Sequence, residues 1–375
     1  MSIRSRFPIF EKKTYLNSCS YGALSVDVRE AYQRYLDDWN ESGSDWDKWV
    51  GLYETARVSF AGLINAKAEE IAVTFCASDG VNAIASALDF SSPRNRVVVS
   101  DFEFPTTAQI WHAQEKRGAD VCHVPECEGR IPLEHYERVI DDRTLLVSIA
   151  SVCYRNGSKQ DIRPIVDLAH KHGALVMLDA YQGLGAFPID VRALDTDFLV
   201  GGTLKYLLSS AGTAMLYVRQ ELIERLTPTF SGWFAQRDIN AMDIYANDPA
   251  PTARRFESGT PAVANVYAAL AGVGLIQSWG VARIERHIGE LTRAIKDGVL
   301  AEGFEFATPV EDEAHGAMLA VKVTDELAIV DALAQDDIVT SSRDGNVRIS
   351  PHFYNNLEDI DRLLESLRRN RQYML

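Results

Sequence analysis

The chain has 375 residues, 46% of them hydrophobic, enough for a large core and for one large domain with a smaller one beside it. A formal net charge of −15 with no basic stripe argues against nucleic acid and anionic membrane as partners. The N-terminal residues lack an apolar h-region, no run of about 18 apolar residues occurs, and none of the five cysteines forms a CxxC pair, so a cytoplasmic protein with reduced thiols is expected.

Taken in chain order, residues 69–75 read as a strand and 80–90 as a helix. Strand and helix then alternate: strands at 96–104, 119–125, 144–152 and 174–180, helices at 106–118, 133–140 and 162–173, the last closed by Gly173. Two more strands follow at 197–202 and 214–218. Strands made almost wholly of Val, Ile and Leu are covered on both faces, with the helices as crossovers, so the pattern predicts a doubly wound, mostly parallel α/β sheet. The polar, Pro- and Gly-bearing stretch 247–262 breaks this rhythm. Beyond it lie one long helical pattern (265–303), strands at 304–309, 317–323, 336–343 and 346–354, and a final helix at 357–372, together a smaller α+β unit. The expected division is 15–255 for the large domain and 256–375 for the small one, with residues 1–20 packing near the site or the small domain.

Two patterns are traps. Residues 181–188, YQGLGAFP, follow a strand and resemble the opening of a dinucleotide fingerprint, but Pro188 stands where the third glycine belongs. The eight histidines show no metal spacing, and His170 and His172 point to different sides of their helix, so solvent-facing histidines and no metal are expected.

Lys205 is harder to dismiss. It stands alone among Leu204, Tyr206, Leu207 and Leu208, between two apolar strands. Such a lysine either snorkels from a sheet edge or is partly desolvated, which lowers its proton affinity and frees an amine to attack a carbonyl. Asp179 lies twenty-six residues upstream at a strand end, where open α/β sheets bind ligands. It serves there as a helix cap, as an ion-pair partner, or as the carboxylate that holds a proton on a pyridine nitrogen. Pyridoxal phosphate needs both groups, an amine for its aldehyde and a carboxylate for its ring.

Residues 176–208, VMLDAYQGLGAFPIDVRALDTDFLVGGTLKYLL, resemble the cofactor segment of the class V aminotransferase family, which includes cysteine desulfurases, kynureninases and isopenicillin N epimerase-like proteins. The resemblance runs from 15–22 (YLNSCSYG) to 347–355 (VRISPHFYN). It implies the type I pyridoxal-phosphate fold, with a large domain built on a seven-stranded-type sheet, acting as a homodimer with shared sites on an amino-acid substrate. Residues 76–82, CASDGVN, resemble the family's phosphate turn, which puts Ala77 and Ser78 at the phosphate; a plain helix cap is the other reading of Ser78. Residues 101–107, DFEFPTT, resemble the segment whose aromatic stacks on the ring, here Phe104, although core packing is the commoner fate of such a residue. The resemblance further implies Gln182 at the ring oxygen, Thr260 at the phosphate of the partner subunit, and Arg348 on the substrate carboxylate. A surface ion pair is the alternative for Arg348.

The departures narrow the chemistry. Gly202 and Leu204 replace the Ser and His that desulfurases carry before the lysine, leaving Thr203 as a possible phosphate hydroxyl. Tyr154 stands at the family's Asn position, so Tyr154 and Arg155 are expected to face the substrate. The segment before Arg348 has no cysteine, which disfavours desulfurase chemistry, and Cys19 and Cys153 are poor substitutes. Trp233 resembles a kynureninase tryptophan, or simply packs. The expected activity is transamination or Cβ-elimination on an amino acid. The alternatives are a lyase or epimerase of kynureninase or isopenicillin N epimerase type, and a non-catalytic binding protein on the same fold.

Overall fold

The structure, a computed structural model, describes residues 3–375. A short strand β1 (Thr14–Tyr15) precedes two helices, α1 (Val26–Ser42) and α2 (Trp46–Leu63). The alternating part then runs β2 (Ile71–Thr74), α3 (Ala77–Ala87), β3 (Arg96–Ser100), α4 (Pro105–Ala113), β4 (Asp120–Val124), α5 (Leu133–Glu137), β5 (Thr144–Ala150), α6 (Ile162–Lys171), β6 (Leu175–Asp179), α7 (Val191–Leu194), β7 (Phe198–Gly202), β8 (Ala214–Val218) and α8 (Gln220–Ile223). The C-terminal part runs α9 (Val263–Trp279), α10 (Val281–Ala301), β9 (Leu319–Lys322), α11 (Glu326–Gln335), β10 (Ile338–Val339), β11 (Ser341–Arg343), β12 (Asn346–Ile349) and α12 (Leu357–Arg369).

The large sheet has seven strands in the order β2-β8-β7-β6-β5-β3-β4. Only β8 runs antiparallel to its neighbours. The chain steps outward from β3 to β4 and returns to place β5 on the other side of β3. The strand order therefore reverses between β3 and β5, and a crevice opens at their carboxyl ends, the place where open α/β sheets hold ligands. Every residue of β2, β7 and β8 is buried, as their apolar composition requires. The small sheet is antiparallel, β11-β12-β9, while β1 pairs in parallel with β10 and so ties the N-terminal segment to the C-terminal part. Among the described residues no helix is long and apolar enough to cross a membrane.

Four local expectations are corrected. The long pattern 265–303 is two helices, because Gly280 takes a left-handed φ of 84° and its N–H closes α9 on the Ile276 carbonyl. Residues 336–343 form two strands in different sheets, because the chain leaves β1 after Val339 and joins β12 at Ser341. Residues 304–309 form no strand and make only an isolated bridge from Phe306 to Val321. Not every histidine faces solvent: His315 and His352 are buried, and His170 Nε2 lies 2.8 Å from the buried Asp197 carboxylate. The expected division at 255/256 falls just ahead of α9, which packs on α1 and α2 and places Val266, Ala269 and Val273 in the core beneath the large sheet. The core of the small sheet draws on α10 from Leu291 onward.

Candidate active site

The loop after β7 presents Lys205. Thr203 fixes the loop base, its hydroxyl donating to the carbonyls of Thr213 (2.9 Å) and Ser210 (3.1 Å). Tyr206, Leu207 and Leu208 then sink into the main core and anchor the loop from behind. The N-terminal segment closes on its other side, with the Gly22 N–H donating to the Leu204 carbonyl. A Cβ at Gly22 would lie 2.4 Å from the Lys205 carbonyl oxygen, so only glycine permits this approach. The Lys205 side chain is left facing a cavity of about 320 Å³ at the carboxyl ends of the central strands.

Among the described residues the amine has no carboxylate within ion-pair distance. Its Nζ lies 4.4 Å from the Tyr181 ring centroid and 5.8 Å from that of Phe104. Burial lowers its pKa to about 8; Asp179 and Cys19 pull it back up, while Arg348 pushes further down. A substantial fraction of neutral amine is therefore present near neutral pH. Asp179 ends β6, buried, with Oδ1 accepting from the Tyr181 N–H at 2.8 Å. Burial raises its proton affinity, against that N–H and Lys205.

The remaining walls come from five elements. Cys76, Ala77 and Ser78 open α3 at the cavity, and Cys76 caps no amide with its side chain. The Asp79 N–H is taken by the Cys76 carbonyl at 3.1 Å, and the Ala77 and Ser78 N–H groups remain for an anion, favoured by the helix dipole. The Ser78 hydroxyl reaches Thr106 Oγ1 at 3.4 Å, which gathers two hydroxyls at this end. Gly80 lets α3 sit close on the sheet, for a Cβ there would come within 3.1 Å of Val200. Phe104, at the start of α4, packs edge-on against Tyr154 with centroids 5.0 Å apart. Gln182 donates from Nε2 to the Cys19 carbonyl at 3.1 Å, while its buried Oε1 has no partner.

Arg348 stands on β12 and is 4% exposed, without any carboxylate partner among the described residues. Its guanidinium donates to the Tyr154 carbonyl (2.8 Å), Ser20 Oγ (3.0 Å) and Ser341 Oγ (3.0 Å), and Nε has no acceptor. Ser20 and Tyr154 also line the cavity. A buried cation held only by neutral groups is a ready receptor for a carboxylate.

Sequence reasoning placed Ala77, Ser78, Phe104, Tyr154, Asp179, Gln182 and Lys205 around one cavity, and the structure brings them together there. Thr203 does not join them, because its hydroxyl is spent on backbone carbonyls. Thr260 is exposed and outside this chain's cavity. Arg155 lies beside the cavity rather than in its wall, donating to the Asp101 carbonyl (2.9 Å) and facing Asp344 at 3.6 Å. Trp233 packs on Trp46 and Phe234 and donates to the Ile239 carbonyl at 2.6 Å, which is the packing reading. The residues missed were Ser20, Thr106, Thr107 and Tyr181. Tyr181 had a signal in Gly202, where a Cβ would lie 2.1 Å from the tyrosine hydroxyl. Glycine at 202 is thus what makes room for this ring. Gly185, the other half of the dinucleotide trap, has φ 87° and approaches the Tyr206 carbonyl too closely for any side chain.

An anion cradle at a helix start, a desolvated amine, a carboxylate at the sheet switch point and an unpaired arginine define an α/β enzyme that binds a phosphorylated aldehyde through a lysine. The family described as Aminotransferase class-V matches residues 15–363, and the chain belongs to that family, whose cofactor is pyridoxal phosphate. The chain is 34% identical over 364 residues to a protein named uncharacterized aminotransferase YcbU from Bacillus subtilis (strain 168), covering 97% of this chain and 96% of that one. It is 27% identical to a kynureninase from Bacillus mycoides (strain KBAB4), covering 99% and 92% of the two chains. The apo structure of a cysteine desulfurase from Thermococcus onnurineus NA1 superposes with a TM-score of 0.89 at 23% identity, covering 98% and 97%, and shares the fold. The cavity fits the cofactor on its own terms: orphaned Gln182 Oε1, uncapped α3 amides, and Asp179 without an ion pair.

Proposed function

We propose that this pyridoxal-phosphate enzyme transaminates an amino acid or eliminates its β-substituent, with Lys205 moving the Cα proton and Arg348 holding the α-carboxylate. When bound, the cofactor supplies an aldehyde that condenses with amines and a protonated ring that accepts the electron pair released at Cα. The chain supplies the rest. Arg348 orients the substrate through two parallel N–H donors, and its present partners, a carbonyl and two hydroxyls, give way to a carboxylate without stranding another charge. Lys205, with its proton affinity already lowered, takes the proton as a base near neutral pH. Asp179 holds the proton on the ring nitrogen. Phe104 would cover the ring, and Ser78, Thr106 and the start of α3 would hold the phosphate. The observation that carries this reading is a desolvated lysine facing the cavity, with a buried arginine that has no carboxylate partner among the described residues held just behind the wall by Ser20 and Tyr154, which both line it.

Three further points belong to the same reading. Thr260 lies on the surface, away from this chain's cavity, which supports a homodimer in which it completes the partner's site. The segment before Arg348 has no cysteine, Cys19 is buried, and Cys76 lies at the phosphate end; this supports chemistry other than sulfur transfer. A cytoplasmic location accords with the five free cysteines.

The test is a panel of amino acids followed by NMR in D₂O without an oxo-acid acceptor. Transamination yields at most one equivalent of oxo acid per site and then stops. Elimination turns over and releases ammonia. Deuterium uptake at Cα alone identifies an epimerase. A protein that does none of these with any amino acid leaves the binding-protein reading and sinks the catalytic one.

A further inference from the structure

Six carboxyl groups are buried among the described residues: Glu70, Glu103, Asp179, Asp197, Glu257 and Asp359. Four have a cation. Glu70 pairs with Arg192, Asp197 with Arg219, Glu257 with Arg57 and Asp359 with Arg4. The two without one, Glu103 and Asp179, are neighbours. Glu103 lies on the loop from β3 to α4, and its Oε1 accepts from Ser148 Oγ at 2.9 Å. Its Oε2 is buried and has no partner. Ser148 pairs in register with Met177, and Ala150 with Asp179, so Ser148 and Asp179 project from the same face of adjacent strands, one diagonal step apart. The Glu103 carboxyl is thus seated behind the carboxylate that meets the cofactor ring.

We propose that Glu103 is a positioning residue for Asp179: a neutral carboxylic acid that keeps the single negative charge of the pair on Asp179, facing the ring nitrogen. Two buried carboxylates side by side cannot both ionise cheaply, and one proton is shared between them. The surroundings decide which group keeps it. Asp179 has a backbone N–H and the nearby Lys205 amine to favour its charge. Glu103 has one hydroxyl and an orphaned oxygen, and a charge there would be uncompensated. Burial, and then the charge of Asp179, push the Glu103 carboxyl well above the ordinary range against the help of Ser148. The groups facing it are Ser148 from β5, Asp179 from β6 and the Tyr136 hydroxyl from α5, itself donated to Gln160 at 2.5 Å. None is a cation. When Glu103 loses its proton as the pH rises, a second negative charge appears behind Asp179 and the ring nitrogen holds its own proton more tightly.

The variant that tests this is Glu103→Gln, which copies the neutral acid in shape and hydrogen bonding. In the infrared, at neutral pH and without cofactor, the wild-type protein is expected to show a protonated-carboxyl band, sensitive to deuterium, that E103Q lacks. In the holoenzyme, the pH profile of the bound cofactor's absorption is expected to carry a transition in the wild type, from Glu103 ionising as the pH rises, that is missing from the profile of E103Q. Ser148→Ala should move that transition to higher pH, because the hydroxyl favours the ionised form. Cofactor affinity of E103Q at neutral pH should stay within about threefold of wild type, less than half a unit of proton affinity. A protonated band that survives in E103Q, or pH profiles that superimpose, overturns the proposal. So does a loss of cofactor affinity beyond about tenfold, which would show that an ionised Glu103 is required. The infrared measurement needs no bound cofactor, so its failure is separate from any failure of the catalytic reading.

Discussion

Arg57 with Glu257, both buried, and half-buried Lys205 with buried Asp179 are two cation–carboxylate sites beside the large sheet. They are built in opposite ways. Arg57 Nη1 lies 2.6 Å from Glu257 and 2.6 Å from the Ile71 carbonyl, and Glu257 also accepts from the Val73 N–H at 2.8 Å. That pair clamps α2, β2 and the chain after β8, and Arg57 also donates to Glu54 at 3.1 and 3.2 Å, so its charge is spent on protein carboxylates rather than on a cavity. Lys205 and Asp179 share a cavity without an ion pair, and each is left with capacity toward a ligand. A charge taken out of water therefore means structure where a partner satisfies it and chemistry where none does.

The sharpest way to break the comparison is to delete one cation from each site. Lys205→Ala should lower turnover by roughly 10²–10⁴-fold, the range for loss of a general base, and abolish covalent attachment of the cofactor. Its urea midpoint should not fall, because the ammonium it removes was desolvated. Stopped-flow absorbance and an unfolding curve on the same sample read both. Arg57→Ala should do the reverse. It strands Glu257 and should cost about 3–5 kcal/mol in the urea curve, while protein that remains folded binds cofactor as before. If K205A destabilises as much as R57A, the distinction fails.

A smaller effect sharpens the lysine side. The Lys205 pKa of about 8 in the folded apoprotein lies below the ordinary lysine value of 10.5. The neutral fraction, and with it the rate of cofactor capture, should rise about tenfold between pH 7 and pH 9. The linkage has a definite sign. Between the folded and unfolded pKa values the unfolded chain binds more protons, so apoprotein stability should rise with pH from about 8 to 10.5. That gain should be absent in K205A. A reconstitution rate flat across this range would show an amine not desolvated. Smallest of all, Phe104→Ala removes an aromatic contact worth about 0.5–1.5 kcal/mol, and cofactor affinity should weaken by about threefold to tenfold in an absorbance titration.

Much of this was legible before any coordinates. The unbroken Val, Ile and Leu runs required a sheet covered on both faces, and strand ends at 179 and 202 located the site. Lys205 stood out because a lone charge in an apolar run is costly unless it is used. Other features left weaker marks. Gly280 gave a break in α9–α10 that helical periodicity alone overlooks, since both halves keep the same period. Thr203 looked available because a hydroxyl near a lysine has many acceptors, and only the loop showed that backbone carbonyls had taken it.

The sequence by itself determined the local terms: burial of strands, a helix after β2 (read at 80–90, found at Ala77–Ala87), the isolated lysine and the family pattern around it. Those depend on residues close together in the chain. The tertiary structure alone decided which charges meet. Arg348 comes to Tyr154 and Ser20 through an antiparallel hairpin, and Glu103 comes behind Asp179 through the register of two parallel strands. A carboxyl's charge state follows from its neighbours in space, and for Glu103 the decisive one lies seventy-six residues further along the chain.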